Sequence, residues 1–414
     1  MDLLRNLTDG ACLWAGLMAC CATCAAGEPG EPAASLIRYE VPGGETFFAL
    51  ALKTGPLPAA EQRDHAILFD TSASQAGAHR RQALAVLDGF LAALGKTDRV
   101  RLFACDVKVK PLADDFFPPQ SAETREAVTK LQRIVPLGAT AMQPALEAAL
   151  KSLPGDRARS ILYIGDGMST AQLIQVPELR ALLARMRQAR APVHSFAVGP
   201  RTDLQLLGTL AEHTGGVVFV DALVDDSKTP PAQVGKKLAL AAGAAVFYPD
   251  KLSLSPETDR LAPVPVPPLR ADRDSIILGK GRLSGQVKVT VSGEGRAMEW
   301  TIKPAAPQPG NTFLVRLWGM AEQTGGLAVA VAGQELVSYS RQEFEEQVQQ
   351  LVAMGRRAVA ARDLNLAEQI VQSIRELDPQ NVEAETILSA VQKAKAARDA
   401  LDRKSGKTPA AKPR

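Results

Sequence analysis

The sequence predicts an α/β fold with a doubly wound, mostly parallel sheet, a small β-sandwich-like region and a C-terminal α-helical hairpin region. Short apolar runs alternate with amphipathic helical patterns over residues 63–246, as strands and their covering helices do in such sheets. Residues 247–305 combine many prolines with alternating strand patterns, whereas residues 306–403 are mostly helical in pattern. At 414 residues the chain is too long for one ordinary core, which favours two or three domains.

The first strand of the α/β region is predicted over residues 65–69, because a continuous apolar run suits a strand buried on both faces. The run ends at Asp70, and the hydroxyls of Ser72 and Ser74 follow at alternate positions. Ligands of α/β folds bind at the carboxyl ends of the strands. We therefore expect three oxygen-bearing side chains to leave the sheet together, in an arrangement that suits a hard divalent cation.

The remaining strands and helices of the α/β region are predicted from the spacing of apolar and charged residues. Leucines three or four residues apart mark one buried helical face, lysines at alternate positions suit an exposed edge strand, and Ser121 is a good helix cap. The further predicted strands cover residues 100–105, 106–112, 160–164, 193–198 and 217–220. The first predicted helix carries Leu84, Leu87, Leu91 and Leu94, and the later ones cover residues 121–134, 142–153, 177–189, 203–213 and about 232–242.

The pattern of residues 35–53 predicts two strands joined by a glycine turn. Two strands are too few to form a domain. These strands need a partner, and antiparallel strands predicted at residues 275–278, 286–291 and 297–302 are candidates. Together they could build one small β-sandwich into which the α/β domain is inserted.

The helical region has a repeat-like spacing. Leu351, Gly355, Ala367 and Pro379 fall at the spacings of a tetratricopeptide (TPR) repeat, whose period is 34 residues. One such hairpin cannot bury its own faces, so we expect it to pack on the sandwich or on a third helix. The basic tail at residues 404–414 is predicted to be disordered.

The N-terminus resembles a leader. Residues 11–26 are apolar and small, too short a run for a membrane span, and they predict a signal peptide over residues 1–26. Residues 27–62 then hold a linker and the N-terminal strands. Leu17-Met18-Ala19-Cys20 resembles a bacterial lipobox, so lipid attachment at Cys20 is an alternative to a soluble exported form. We expect a periplasmic or cell-envelope location; a buried N-terminal helix is the competing interpretation.

Cysteine usage and charge restrict the function classes. Four of the five cysteines lie in the leader, which leaves Cys105 as a buried small hydrophobe and no intrachain disulfide. The formal net charge of +3 favours no particular partner. No basic stripe with interleaved aromatics occurs in the body of the chain, so nucleic-acid binding is not expected.

Asp70-x-Ser72-x-Ser74, with Thr140 just before a helix and Asp166 just after a strand, resembles the metal-ion-dependent adhesion site (MIDAS) of von Willebrand factor A (VWA) domains. The resemblance implies a Rossmann-like sheet and a site for Mg²⁺, or Mn²⁺ or Ca²⁺, held by these five residues. It also implies a protein partner whose Asp or Glu completes the metal shell, and no enzymatic activity. Ala139 and Ala141 depart from the family pattern, which bears on the geometry of the Thr140 loop.

Three other interpretations compete. In the first, the hydroxyls of Ser74 and Thr140 only cap helices. In the second, Asp70-Thr71-Ser72 and Gly165-Asp166-Gly167 resemble motifs of haloacid-dehalogenase-type phosphatases, although Ser72 stands where those enzymes need a second acid. The third is a scaffold protein whose TPR-like helices carry the binding while the VWA domain is structural.

Overall fold

The computed structural model of the protein describes residues 32–404 apart from 42–43, 222–228, 257, 259, 284, 328 and 330, and leaves out the side chains of residues 399–404. The predicted signal peptide, Cys20 of the lipobox and the predicted tail beyond residue 404 lie outside these residues. The described chain starts with an antiparallel pair of strands, β1 (Ala33–Glu40) and β2 (Thr46–Lys53).

A six-stranded sheet forms the centre of the α/β region. Its strands are β3 (Arg63–Asp70), β4 (Arg99–Cys105), β5 (Val109–Pro111), β6 (Ala158–Gly165), β7 (Val193–Ala197) and β8 (Val218–Val220). They are ordered β5-β4-β3-β6-β7-β8, and every neighbouring pair is parallel except β4 with β5. The predicted mostly parallel sheet is therefore confirmed.

Six helices cover the two faces of this sheet. They are α1 (Ala78–Ala93), α2 (Ala122–Arg133), α3 (Met142–Ser152), α4 (Val176–Gln188), α5 (Leu204–Thr214) and α6 (Pro231–Gly243). Ala66 and Leu68 of β3 pack in one core with α3, α4 and α5, while Ile67 and Phe69 pack with α1, α2 and α6. Burial on both faces explains the unbroken apolar run, and each large side chain so buried stabilises the fold by about 1.5–3 kcal/mol.

Short antiparallel sheets form a second layer. The strands after the α/β region are β9 (Val246–Phe247), β10 (Lys251–Ser255), β11 (Leu261–Ala262), β12 (Leu269–Arg270), β13 (Ser275–Lys280), β14 (Val287–Gly293) and β15 (Arg296–Ile302). One sheet has the order β1-β2-β13-β11, a second has the order β10-β14-β15, and β9 pairs with β12. Leu50, Leu52 and Ile277 of the first sheet share a core with Val287 and Val289 of the second. The N-terminal strands thus pair with β13.

The short strands β9 to β12 were not predicted, because prolines interrupt the apolar alternation there.

The chain ends in helices α7 (Phe313–Thr324), α8 (Gln334–Ala360), α9 (Leu364–Leu377) and α10 (Val382–Lys404). Tyr39, Phe47, Ile276 and Leu278, on the outer face of the β1-β2-β13-β11 sheet, join these helices in one hydrophobic core. Helix α8 begins at Gln334, earlier than the pattern around residue 344 predicts. Among the described residues, no helix is long and apolar enough to cross a membrane. The TPR spacing stays a prediction.

His213 is a buried, neutral side chain at the end of a helix. His213 lies in the last turn of α5, where a positive charge would suit the helix dipole. Burial lowers the pKa of His213 to about 4, so the ring is neutral near pH 7. Its Nε2 lies 3.3 Å from the carbonyl oxygen of Gly326, and the side chain is part of the packing rather than a surface charge.

Candidate functional site

Asp70 lies at the carboxyl end of β3 and is completely buried. Its Oδ1 accepts a hydrogen bond from the Ser72 amide at 2.8 Å, and its Oδ2 accepts one from the Tyr163 hydroxyl at 2.8 Å. The Thr140 hydroxyl donates to the same carboxylate, with Oγ1 at 3.0 Å from both oxygens. These four residues come from three separate segments, namely β3 with the loop after it, the loop before α3, and β6, so the sheet edge assembles the site.

Tyr163 reaches Asp70 because the residue two positions further along the same strand is a glycine, Gly165. A Cβ added at Gly165 would lie 2.4 Å from the Cβ of Asp70 and 2.5 Å from the hydroxyl oxygen of Tyr163. Any side chain there would push the tyrosine away from the carboxylate. No sequence pattern marks Tyr163 as a site residue, since its role depends on the pairing of β3 with β6.

The Thr140 loop is fastened to the loop after β3 by main-chain hydrogen bonds. The Ala73 amide donates to the Gly138 carbonyl at 3.0 Å, and the Leu137 amide donates to the Thr71 carbonyl at 3.0 Å. Gly138 has φ 77°, a left-handed conformation that glycine adopts without strain. These main-chain hydrogen bonds hold Thr140 next to Asp70. They do not involve the side chains of Ala139 and Ala141.

The hydroxyls do not act as helix caps. Helix α1 begins after Gly77 and helix α3 begins after Ala141, and neither N-cap residue forms a side-chain capping hydrogen bond. The Ser72 and Ser74 hydroxyl oxygens instead lie 2.9 Å apart, and Thr140 donates to Asp70. The capping interpretation of Ser74 and Thr140 is therefore wrong.

Asp166 follows β6 directly and lines an open pocket of about 290 Å³ beside the two serines. Its Oδ1 accepts a hydrogen bond from the Met168 amide at 2.9 Å. Ser72, Ser74 and Asp166 form part of the wall of this pocket, whereas Asp70 and Thr140 are buried and do not line it. Arg201, on the exposed loop after β7, completes the rim and was not predicted as a site residue.

The charges at this edge are unbalanced. Burial raises the pKa of the Asp70 carboxyl, and Asp166 raises it further, while hydrogen bonds from Ser72 and Tyr163 lower it. Burial also raises the pKa of the Tyr163 phenol well above its ordinary value, so this hydroxyl stays a hydrogen-bond donor. Within the described part of the chain, no lysine or arginine forms an ion pair with Asp70 or Asp166.

Comparison with known families finds a match within the α/β region. Residues 64–219 match the family model described as the von Willebrand factor type A domain. No curated protein sequence matches the chain.

Three solved structures are similar to this chain at low identity. A von Willebrand factor type A protein from Catenulispora acidiphila is 13% identical, with 87% of this chain and 89% of that chain covered and a TM-score of 0.44. The ArnB paralog VWA2 from Sulfolobus acidocaldarius is 12% identical, with 89% and 93% covered and a TM-score of 0.39. An aerotolerance-related membrane protein from Bacteroides fragilis is 15% identical, with 43% and 98% covered and a TM-score of 0.33.

The family match spans β3 to the first part of β8, which are the strands that carry the oxygen-lined pocket. VWA domains commonly mediate protein–protein interaction or adhesion and are generally not enzymes. Residues 64–219 of this chain therefore form a von Willebrand factor type A domain.

Proposed function

We propose that the chain is a divalent-metal-dependent protein-binding module. Asp70, Ser72, Ser74, Thr140 and Asp166 would hold Mg²⁺, or Mn²⁺ or Ca²⁺, and an Asp or Glu of a partner protein would complete the metal shell. The observation that carries the proposal is the contact between Thr140 and Asp70, because it brings oxygen ligands from two distant loops to one point.

The residues present fit such a cation. All five offer oxygen atoms, which Mg²⁺ and Ca²⁺ prefer as ligands. The Thr140 hydroxyl gives its hydrogen to Asp70, which leaves the lone pairs of its oxygen for a cation. Two buried carboxylates without a cationic partner are costly, and a bound dication would balance their charge. When bound, the ion would supply an open coordination position for a carboxylate.

The pocket beside the site suits an acidic partner. It is open to solvent and large enough, at about 290 Å³, to admit a carboxylate side chain. Arg201 at its rim has no ion-pair partner among the described residues, so its charge would attract a carboxylate as it approaches.

A phosphohydrolase is the less favoured alternative. Ser72 stands where haloacid-dehalogenase-type phosphatases need a second acid, so the general acid of that mechanism is missing two residues after Asp70. Within the described residues, no group of three or more His, Cys, Asp and Glu side chains could hold a metal ion, which disfavours a zinc phosphatase. Incubation with p-nitrophenyl phosphate and Mg²⁺ should release no p-nitrophenol above the level of an Asp70→Asn variant.

The second alternative is a scaffold whose TPR-like helices bind the partner. Among the side chains of these helices that the structure describes, three large apolar ones are exposed, namely Met354, Leu366 and Val382. They are the residues that a partner of the helices would be expected to cover.

Partner capture from a cell-envelope fraction tests the proposal. Capture should occur with Mg²⁺ and be lost with EDTA and in Asp70→Asn, whereas Asp250→Asn, which alters an exposed carboxylate before β10, should capture as the parent does. Equal capture by Asp70→Asn and by the parent would contradict the metal-dependent proposal.

The scaffold alternative predicts the reverse dependence. Met354→Lys or Val382→Lys should then abolish capture, and EDTA should have no effect. Point variants are needed because deletion from Arg341 onward would remove Phe344 and Val348 from the core that the helices share with β2 and β13.

We also propose that the protein is exported to the periplasm or cell envelope, either soluble or anchored through a lipid at Cys20. The support is the apolar, small-residue run over residues 11–26. Metabolic labelling with a fatty acid should mark the parent chain but not Cys20→Ser under the anchored form, and neither chain under the soluble form. Retention of an uncleaved chain in the cytoplasm would contradict export.

A further inference from the structure

A second polar pocket, of about 370 Å³, lies at the amino edge of the parallel sheet, opposite to the edge that carries Asp70. Arg63 begins β3 and Ala158 begins β6, and both line this pocket. Four arginines contribute to its wall, and no Asp or Glu does. We call this site the arginine pocket; its four arginines are Arg63, Arg157, Arg159 and Arg190.

Arg63 and Arg159 donate to main-chain carbonyls alone among the described residues, and both retain unused donors. Arg63 is 6% exposed, and it makes one hydrogen bond, from Nη2 to the Gly243 carbonyl at 3.2 Å. Arg159 donates from Nε to the Pro154 carbonyl and from Nη1 to the Ala189 carbonyl, both at 2.7 Å. Among the described residues, Nε and Nη1 of Arg63 and Nη2 of Arg159 have no acceptor. The carbonyl contacts fix the orientation of each guanidinium without neutralising its charge.

The carboxylates near the arginine pocket do not balance its charge. Asp64 is shared between Arg157, at 2.9 Å, and Arg99, at 2.8 Å. Arg190 pairs with Glu294 at 2.8 Å, which leaves Arg63 and Arg159 without an ion-pair partner in the described chain. Asp98 acts on Arg63 electrostatically but forms no ion pair with it and does not line the pocket.

Burying an unpaired guanidinium is unfavourable, and an anion bound at its free donors would relieve that penalty. Guanidinium groups bind phosphate and carboxylate oxygens through parallel hydrogen bonds. Several arginines around one pocket favour an anion of more than one charge over a single carboxylate. The neighbouring pocket of about 560 Å³, which shares Arg190 and Tyr248, suits an anion less because Asp250 and Glu294 line it.

We propose that the arginine pocket binds a phosphoryl group, with Arg63 and Arg159 as its hydrogen-bond donors and Arg190 at the rim. The group belongs to a soluble phosphate compound or to a lipid headgroup, since the recognising chemistry is the same for both. This site is independent of the metal site, which lies at the other edge of the sheet.

Calorimetric titration of the full chain with inorganic phosphate, in EDTA and at constant ionic strength, tests the proposal directly. We expect saturable binding, and at least a tenfold loss of affinity in Arg159→Gln and in Arg63→Gln. Arg159→Lys should bind more weakly than the parent, because an ammonium keeps the charge but not the planar arrangement of donors. Acetate should not bind in the same range.

Arg80→Gln is the matched control. Arg80 is also partly buried and donates to main-chain carbonyls, those of Leu131 at 2.6 Å and Ile134 at 2.9 Å, but it does not line the arginine pocket. This variant should bind phosphate as the parent does. Thermal unfolding of each variant confirms folding, and Arg159→Gln keeps the test valid if Arg63→Gln does not fold.

Vesicles distinguish the two sources of the phosphoryl group. Sedimentation with phosphatidylcholine vesicles that contain phosphatidic acid, competed by inorganic phosphate and lost in Arg159→Gln, would identify a lipid headgroup. Phosphate binding without vesicle binding would identify a soluble compound. The proposal is overturned if phosphate produces no saturable binding, if acetate binds equally well, or if Arg80→Gln reduces the affinity as much as Arg159→Gln does.

Discussion

Thr140 Oγ1 lies 3.0 Å from both carboxylate oxygens of Asp70, although the two residues are 70 positions apart in the chain. The contact joins the end of β3 to the loop before α3. It orients a hydroxyl oxygen and a buried carboxylate toward the same side of the sheet edge, where Ser72, Ser74 and Asp166 line an open pocket.

Removing the Thr140 hydroxyl should weaken metal binding. In Thr140→Val the shape is kept but an oxygen ligand and a hydrogen bond to Asp70 are lost, so we expect Mg²⁺ affinity to fall roughly 10- to 100-fold. Thr140→Ser should retain most of the affinity because it keeps the oxygen. Calorimetric titration with Mg²⁺ measures both.

Thr129→Val is the matched control for this prediction, since the Thr129 hydroxyl donates only to a carbonyl on the exposed face of α2. It should bind Mg²⁺ as the parent does. A Thr140→Val protein that folds and keeps the parental affinity would show that Thr140 is not a ligand.

The Tyr163 hydroxyl should contribute to stability, whereas that of Tyr39 should not. Tyr163 donates to Asp70 and accepts from the Gly167 amide at 3.1 Å, so Tyr163→Phe leaves buried polar groups without partners. We expect a loss of about 1–3 kcal/mol in the free energy of unfolding, measured by urea denaturation.

Tyr39→Phe provides the comparison. The Tyr39 hydroxyl is buried and has no hydrogen-bond partner among the described residues, so its removal should be neutral or slightly stabilising. Equal losses in the two variants would show that the contact with Asp70 does not stabilise the fold.

Acid should destabilise the protein partly through His65. Burial, with smaller contributions from Arg63 and Arg157, lowers the pKa of His65 from 6.5 to about 3. Between these values the unfolded chain binds a proton that the folded chain does not, so stability falls as the pH drops through this window. Well inside the window, the loss is about 1.4 kcal/mol per pH unit for this one group.

His65→Leu should reduce that acid sensitivity. The His65 ring nitrogens have no hydrogen-bond partner in the described chain, and leucine is of similar size and apolar. Urea unfolding at pH 8 and pH 5 should show a smaller decrease for the variant than for the parent. An unchanged decrease would mean that His65 is not the group responsible.

The buried ion pair between Arg273 and Glu212 should stabilise the packing of the VWA domain against the antiparallel sheets. Arg273 Nη1 lies 2.5 Å from Glu212 Oε2, both side chains are nearly inaccessible, and Glu212 Oε1 accepts a hydrogen bond from the Ile276 amide at 2.9 Å. Glu212→Leu alone would leave the Arg273 charge buried and unpaired, which should cost about 3–5 kcal/mol.

The double variant Glu212→Leu with Arg273→Met separates the pair from its surroundings. It should recover part of the loss, because both buried charges are then absent. Additive losses in urea denaturation would indicate that the two side chains do not act as a pair.

Short-range patterns were sufficient for the elements of the α/β region. The apolar run before Asp70 predicted a strand buried on both faces, which β3 is. Ser121 was predicted to cap a helix, and its hydroxyl oxygen accepts a hydrogen bond from the Thr124 amide at 3.2 Å. These features depend on the order of neighbouring residues, which the sequence shows directly. The prolines between β9 and β13 interrupt the alternation of the short strands there, and none of β10, β11 and β12 pairs with the strand next to it in the sequence.

The sequence by itself determined the α/β alternation, the motif at Asp70, Ser72 and Ser74, and the ligand types that the sheet edge offers. Only the tertiary structure decided that Tyr163 and Arg201 belong to the same edge and that unpaired arginines gather at the opposite one. The reason is physical. Burial and periodicity act on neighbouring residues, whereas contacts such as that between Tyr163 and Asp70 depend on the register between strands, which no local pattern encodes.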